Sequence, residues 1–452
     1  MMTQTMTDKL ILVPGSKRHT INSLLAGILS KQDVTIANPY PGLDLDTYRP
    51  LLNSAGYDLS KNEGKLVLEK NESVEAESSN FVDSKTIFQV DDRLALALNL
   101  KHNMKLSYRR ENSEDFERKV LVLRRTGVEL AEGNGDQDDT EKINFHSFNP
   151  VKIKFNFATS NYNMAETVGL MNSLSGKDYE LLADFDLADL IELSNYPLSY
   201  ELQNLAQHEE EDELAKRLKR LRKKSGKNRF HYRLKNLQKL EDSEIMLPAD
   251  PMISSFLVVS AVCNNSDIAL GYLKPFNCDQ TFVRILNRLG LKADLQKTSS
   301  EKSQPGHIIK VSPDDLTGRK IDEKQMRHCL YAFAPLSIMA MFATGKTILR
   351  GLPRSSSKWT SRIDGVARIL TSAGARVGEI EDGLVIEPPL HDFNEVEPRK
   401  LNDPYLMLTQ FTASVLINRE ILPPETFSFS KTYPHYQDLL KQVTSLKKSL
   451  AS

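Results

Sequence analysis

The chain has 452 residues, 40% of them hydrophobic and 26% charged, a length and balance that predict a folded protein with two cores of roughly 200 residues each and exclude a fibrous or disordered chain. Basic and acidic residues nearly cancel, 59 against 60 for a net charge of -1, so the chain as a whole is no polyanion binder and no nucleic-acid partner is expected. Its cysteines, Cys263, Cys278 and Cys329, show neither CxxC nor metal-type spacing, which argues against a disulfide framework and for a reducing compartment.

The N-terminal stretch through Lys17 lacks the long apolar core of a signal peptide, and no apolar run reaches the roughly 18 residues a membrane span requires. A cytoplasmic protein without a membrane partner is the expectation. In PGSKRHTINSLLAGIL, Lys17 and Arg18 follow a Pro-Gly turn and precede an apolar helix. Cationic side chains beside helix N-terminal amides favour a phosphate or a carboxylate, although a lysine in that place is also an ordinary surface residue.

One unit recurs along the chain: an apolar helical stretch, a glycine, then an alternating stretch that reads as a strand. It appears as LLNSAGYDL, VLVLRRTGVEL, ILNRLGLKADL and ILTSAGARVGEI, with Gly56, Gly127, Gly290 and Gly374 at the helix ends. Repetition of one small βαβαββ module explains this better than two unrelated domains. Glu209 to Arg229 breaks the pattern. Its acids come first and its bases last, with Leu214, Leu218 and Leu221 on one helical face. It reads as a solvated helix in a charged helical insertion over 209–240, or as a surface for a protein partner through 209–229.

Other chemistries lack support. ATGKT, Ala343 to Thr347, imitates the end of a phosphate-binding P-loop, but Ala340 stands where the first glycine is required, so a turn is expected. No HExxH or GxSxG occurs, and neither a metal site nor a cofactor is expected.

Several segments resemble the enolpyruvyl transferase family, EPSP synthases (3-phosphoshikimate 1-carboxyvinyltransferases) above all. LVPGSKRHTINSLL is similar through Lys17 to their PGSKSxSNR-type segment. TGKTILRGLPRSSSKWTSRIDGVARILTSAGARV is similar without gaps to their G-x-T…R-V-K-E-[ST]-D-R segment, with Lys358 on the family lysine and Arg362 on the family arginine. FSKTYPHYQDLL resembles the closing K-[ST]-[FY]-P-x-[FY] string and puts Lys431 on its lysine. LPADPMISSFLVVSAV resembles the G-D-x-S-S-A strand-to-helix step, with Asp250 and Ser255 matching, and FATSNYNMAETVGLM resembles the substrate-phosphate site, with Ser160 matching.

The resemblance implies an α/β (α+β) fold of two lobes, each built from three βαβαββ modules around a central cleft. The first lobe would span 17–244, and the second 1–16 plus 245–452, with cleft and hinge near 14–17 and 246–250. It also implies an anionic partner, phosphoenolpyruvate or a sugar- or cyclitol-phosphate-like molecule. Lys17, Arg18, Ser160, Arg354, Lys358, Arg362 and Lys431 would hold that anion, and Lys17 and Lys358 are the best catalytic candidates.

The departures bear on the reaction. The family's catalytic aspartate becomes Tyr331 and the glutamate of K-E becomes Trp359. Its first-segment arginine becomes Asn22, and D-H-R reads Asp403, Pro404, Tyr405. Enolpyruvyl transfer needs a proton placed on a methylene carbon and another taken from a hydroxyl, so lost carboxylates remove acid and base groups. Three readings stay open: a basic cleft that binds an anion with the standard transfer lost or altered, an active carboxyvinyltransferase of the shikimate or a related pathway, and a non-catalytic protein-interaction module.

Overall fold

A computed structural model describes residues 10–71, 107–109, 121, 123–124, 127–133, 142–148, 154–157, 179–183, 200–204, 230–236, 243–271, 277–297, 306–352, 357–396, 399–418 and 433–450. The chain divides into two compact units. One comprises Met1–Ser16, Tyr40–Gly42 and Pro248–Ser452; the other comprises Lys17–Pro39 and Leu43–Leu247. The loop Tyr40–Gly42, which the sequence reading placed with the residues around it, thus groups with the C-terminal unit.

Through Asn236 the strands are β1 (Leu10–Leu12), β2 (Val34–Ala37), β3 (Tyr57–Asn62), β4 (Lys65–Lys70), β5 (Ser107–Arg109), β6 (Val128–Gly133), β7 (Lys142–Phe148), β8 (Lys154–Phe157), β9 (Tyr179–Ala183), β10 (Tyr200–Asn204) and β11 (Phe230–Asn236). They continue as β12 (Glu244–Met246), β13 (Ile268–Gly271), β14 (Lys292–Lys297), β15 (His307–Ser312), β16 (Lys320–Ile321), β17 (Thr347–Leu349), β18 (Arg376–Ile380) and β19 (Gly383–Glu387). The helices are α1 (Lys17–Ser30), α2 (Leu45–Ser54), α3 (Pro251–Cys263), α4 (Asn277–Arg288), α5 (Glu323–Arg327), α6 (Phe333–Ala340), α7 (Ser357–Ser372), α8 (Pro404–Asn418) and α9 (Tyr436–Leu450).

The sheets repeat one plan. In the orders β1-β13-β15-β14, β16-β17-β19-β18, β12-β2-β4-β3 and β8-β9-β11-β10, the first two strands are parallel and the rest antiparallel. The first two sheets belong to the C-terminal unit and the other two to its partner, which also holds the antiparallel sheet β5-β7-β6. Uncharged helices fill the core of the C-terminal unit: α3, α6 and α8 carry no charged residue, and most of their residues are buried. Asp250 starts α3 as its N-cap, its side chain accepting hydrogen bonds from the amides of Met252 at 2.8 Å and Ile253 at 3.3 Å, with Pro251 at the first helical position.

Gly56, Gly127, Gly290 and Gly374 have φ of 80°, 97°, 93° and 93°; Gly56, Gly290 and Gly374 each lead from a helix into a strand, as the repeated pattern predicts, and Gly127 directly precedes β6. Gly290 is doubly constrained, because a Cβ there would also run into the carbonyl oxygen of Asp315. Gly290→Ala is therefore expected to destabilise the C-terminal unit by more than about 1 kcal/mol, read as a lower urea midpoint. A midpoint unchanged from wild type would show that this turn relaxes freely.

Ala343 to Thr347 forms a turn into β17, and the helix a P-loop requires is absent from its end. Residues 230–236, part of the expected helical insertion, are instead strand β11. Phe230, Tyr232 and Leu234 alternate at strand period, and β11 exchanges hydrogen bonds with β10 on one side and β9 on the other. The charged stretch Glu209 to Arg229 lies outside the described residues. Among the described residues no helix is long and apolar enough to cross a membrane.

Candidate functional site

The residues singled out on α7 and α8 meet inside the C-terminal unit. Trp359 and Arg362 are three apart on α7 and share a face. Asp403, immediately before α8, accepts a hydrogen bond from Arg362 Nε on Oδ2 at 2.8 Å and one from Nη2 on Oδ1 at 3.2 Å. Its Oδ1 also accepts from the amide of Tyr405 at 2.8 Å, so the same carboxylate caps α8 and grips the arginine. Both partners are largely buried, their side chains 19% and 23% exposed.

Aromatic rings close around this pair. The Arg362 guanidinium carbon lies 4.6 Å from the centre of the Tyr405 ring and 5.6 Å from that of Trp359, within cation–π range of both. Trp359 packs edge-on against Phe333 at 6.4 Å and Tyr405 at 6.3 Å, and Tyr405 packs against Phe256 at 6.2 Å. Trp359 is 7% exposed and Tyr405 2%. The Tyr405 hydroxyl accepts from the Ala334 amide at 2.9 Å and donates to the carbonyl of Tyr331 at 3.4 Å. Burial pushes its pKa far up, against smaller opposing effects of the Ala334 amide and Arg362, so the phenol stays protonated and cannot act as a base at neutral pH.

Tyr331 sits in the single turn of 3-10 helix just before α6, and its ring tilts against Phe282 at 6.2 Å. The neighbouring Cys329 is fully buried, and burial raises its thiol well above the ordinary range, so it is no nucleophile.

Lys17 and Arg18 open α1 in the partner unit and are exposed. Asn22, at the position of the family arginine, is completely buried in the same helix. Lys358 lies in the first turn of α7. Ser160, Arg354 and Lys431 lie outside the described residues.

The sequence reading did not pair Asp403 with Arg362, because nothing in the spacing of residues 41 apart announces a contact. It also missed a pocket within the C-terminal unit, of about 310 Å³ including the part open to solvent, lined by Pro14, Tyr40, Asp250, Ile253, Tyr433 and Tyr436, among others. Burial first, and the Asp250 carboxylate second, push Tyr40 up to about 12. The same two causes raise Tyr433, with Arg362 pulling the other way, so both phenols remain protonated. The two tyrosines of KTYPHY, Tyr433 and Tyr436, and the helix-capping aspartate were the available signals for this pocket.

The profile of EPSP synthase (3-phosphoshikimate 1-carboxyvinyltransferase) matches residues 199–440. The 3-phosphoshikimate 1-carboxyvinyltransferase of Desulforamulus reducens is 23% identical over 214 residues, covering 47% of this chain and 49% of that protein. The corresponding protein of Oenococcus oeni is 32% identical over 153 residues, 33% of this chain and 34% of its own length. The chain thus spans about half the length, or less, of these curated relatives. In three dimensions the likeness extends further: EPSP synthase from Acinetobacter baumannii superposes with a TM-score of 0.68 at 16% identity, covering 96% of this chain and 95% of its own. The enolpyruvyl transferase NikO from Streptomyces tendae superposes with a TM-score of 0.64 at 12% identity, covering 97% and 95%. With an α/β fold shared along nearly its whole length and a profile match over more than half of it, this chain belongs to the EPSP synthase family.

Proposed function

We propose that this chain is a divergent EPSP synthase-like protein that binds an anionic, phosphorylated or carboxylated small molecule and has lost standard carboxyvinyl transfer from phosphoenolpyruvate to shikimate 3-phosphate. The observation that carries this reading is the packed state of the substituted positions. Trp359, where the family has a glutamate, and Tyr405, where it has the arginine of D-H-R, are buried in one aromatic cluster, and neither can exchange a proton at neutral pH.

Lys17, Arg18, Ser160, Arg354, Lys358, Arg362 and Lys431 are the proposed anion-binding residues. Six of the seven carry positive charge, and Arg18 and Arg354 occupy positions where the family has a serine and an asparagine. Simple decay of an inherited site would not be expected to add cations. Of the seven, Arg362 is already partnered by Asp403, so the remaining bases would supply most of the attraction.

The test is thermal stability of the full chain with inorganic phosphate, phosphoenolpyruvate or shikimate 3-phosphate. A ligand that binds only the folded state adds about 2.7 kcal/mol at about a hundred times its dissociation constant, which raises Tm by several degrees for a unit of this size. Lys17→Ala and Lys431→Ala are expected to reduce the shift. No shift with any of the three anions, or a shift that both variants keep, would defeat the reading.

A further inference from the structure

The pocket lined by Pro14, Tyr40, Asp250, Tyr433, His435 and Tyr436 is built wholly from the C-terminal unit and takes no part in the anion-binding reading. At about 310 Å³ with its open part, it stands at the lower end of the range of about 300–1,000 Å³ for small-molecule sites, which suits a small ligand. Its walls are held in place before any ligand arrives. The Asp250 amide donates to the Pro14 carbonyl at 2.9 Å, and Gly15 bridges to Ala249, which ties this segment to the start of α3. The Tyr433 hydroxyl reaches Met252 Sδ at 3.9 Å, and the Tyr436 hydroxyl bonds Thr412 Oγ1 at 2.7 Å. Tyr40 is seated over Gly42, where an added Cβ would come within 2.6 Å of its hydroxyl. A ligand would therefore order little of the protein on binding.

Among the described residues of the lining, Asp250 is the one carboxylate, and neither a lysine nor an arginine is present. The amides of Met252 and Ile253 draw on one oxygen of that carboxylate. Its field nevertheless reaches both neighbouring phenols. After burial, Asp250 is the first cause that raises the pKa of Tyr40 and of Tyr433, and at Tyr433 it outweighs the opposing Arg362. A field that disfavours a phenolate favours a cation in the same place. The rings of Tyr40 and Tyr433 stay uncharged, and with Tyr436 they give the pocket three aromatic walls, the setting in which quaternary ammonium groups are recognised. A primary ammonium carries three N–H donors that each require an acceptor, whereas a fully methylated one carries none. The mostly apolar lining favours the methylated form.

We propose that this pocket binds a small quaternary ammonium ion, held by the Asp250 carboxylate and the rings of Tyr40, Tyr433 and Tyr436. Asp250, Tyr433 and Tyr436 fall within segments that resemble the family, whereas Tyr40 and Pro41 fall in none of them. The ligand class is opposite in charge to the anions of the reading above, so the two sites are independent.

Isothermal calorimetry on the full chain tests this with choline chloride as the probe, at ionic strength matched with sodium chloride. The control is the alcohol in which a carbon atom replaces the nitrogen of choline, alike in shape and without charge. Wild type is expected to bind choline saturably and the alcohol at least about tenfold more weakly. Asp250→Asn keeps a side chain able to cap α3 while removing the charge, and is expected to weaken choline binding at least about tenfold. Tyr40→Leu removes one ring and is expected to weaken it at least about threefold. Absence of saturable choline binding by wild type would overturn the proposal, and so would equal affinity for the alcohol. Retention of wild-type choline affinity by either folded variant would overturn it as well. The two wild-type arms can refute it alone, so misfolding of a variant does not shelter it, and none of these outcomes depends on whether the chain binds phosphate.

Discussion

Trp359→Ala is expected to destabilise the C-terminal unit by about 3–5 kcal/mol, the range for deleting a large buried aromatic side chain. The indole is 7% exposed and is wedged between Phe333 and Tyr405 with its ring toward Arg362. Its loss opens a cavity bordered by those three groups, and the void would let water reach the Arg362–Asp403 pair. At roughly 2–4 °C per kcal/mol for a unit of this size, Tm should fall by about 10 °C. Differential scanning calorimetry reads this directly. A drop of less than about 1 kcal/mol would mean that the ring does not hold the core together, and the packed state invoked for the substituted site would lose its support.

Incubation with shikimate 3-phosphate and phosphoenolpyruvate is expected to release phosphate at least about a thousandfold more slowly than an ordinary enzyme of median turnover. General acid and base groups each contribute about a hundredfold to ten-thousandfold, and here the two family carboxylate positions are Tyr331 and Trp359. The double change Trp359→Glu with Tyr331→Asp should not restore the rate. The new glutamate would enter a cluster built from aromatic rings, where burial favours its protonated form, and Tyr405 and the buried Asn22 would still stand where the family has arginines. A steady-state phosphate-release assay on wild type and the double variant settles the matter. Turnover by wild type at an ordinary rate would reinstate the active-enzyme reading.

Local features were legible in the sequence wherever the physics was local. A helix that ends in a left-handed residue calls for glycine at that residue, so Gly56, Gly290 and Gly374 announced helix-to-strand turns before any fold was known. The Asp-Pro start of α3 was readable for the same reason, since it is set by the φ of a proline and the reach of a capping side chain. The strand at 230–236 was missed because Arg233 and Lys235 continue the charged run before it. Only pairing with β9 and β10, both far earlier in the chain, decides its state.

Family membership was likewise written in the sequence, through motifs that fall on Lys17, Lys358, Arg362 and Lys431. What those residues do with their charge was not. The amino-acid sequence by itself determined that an arginine stands at position 362 and that aspartate, tryptophan and tyrosine stand at 403, 359 and 405. Only the tertiary structure decided that the aspartate closes on the arginine and the rings pack around it, because the side chains come from two different helices and their start, brought together when α7 and α8 bury their apolar faces in the same core.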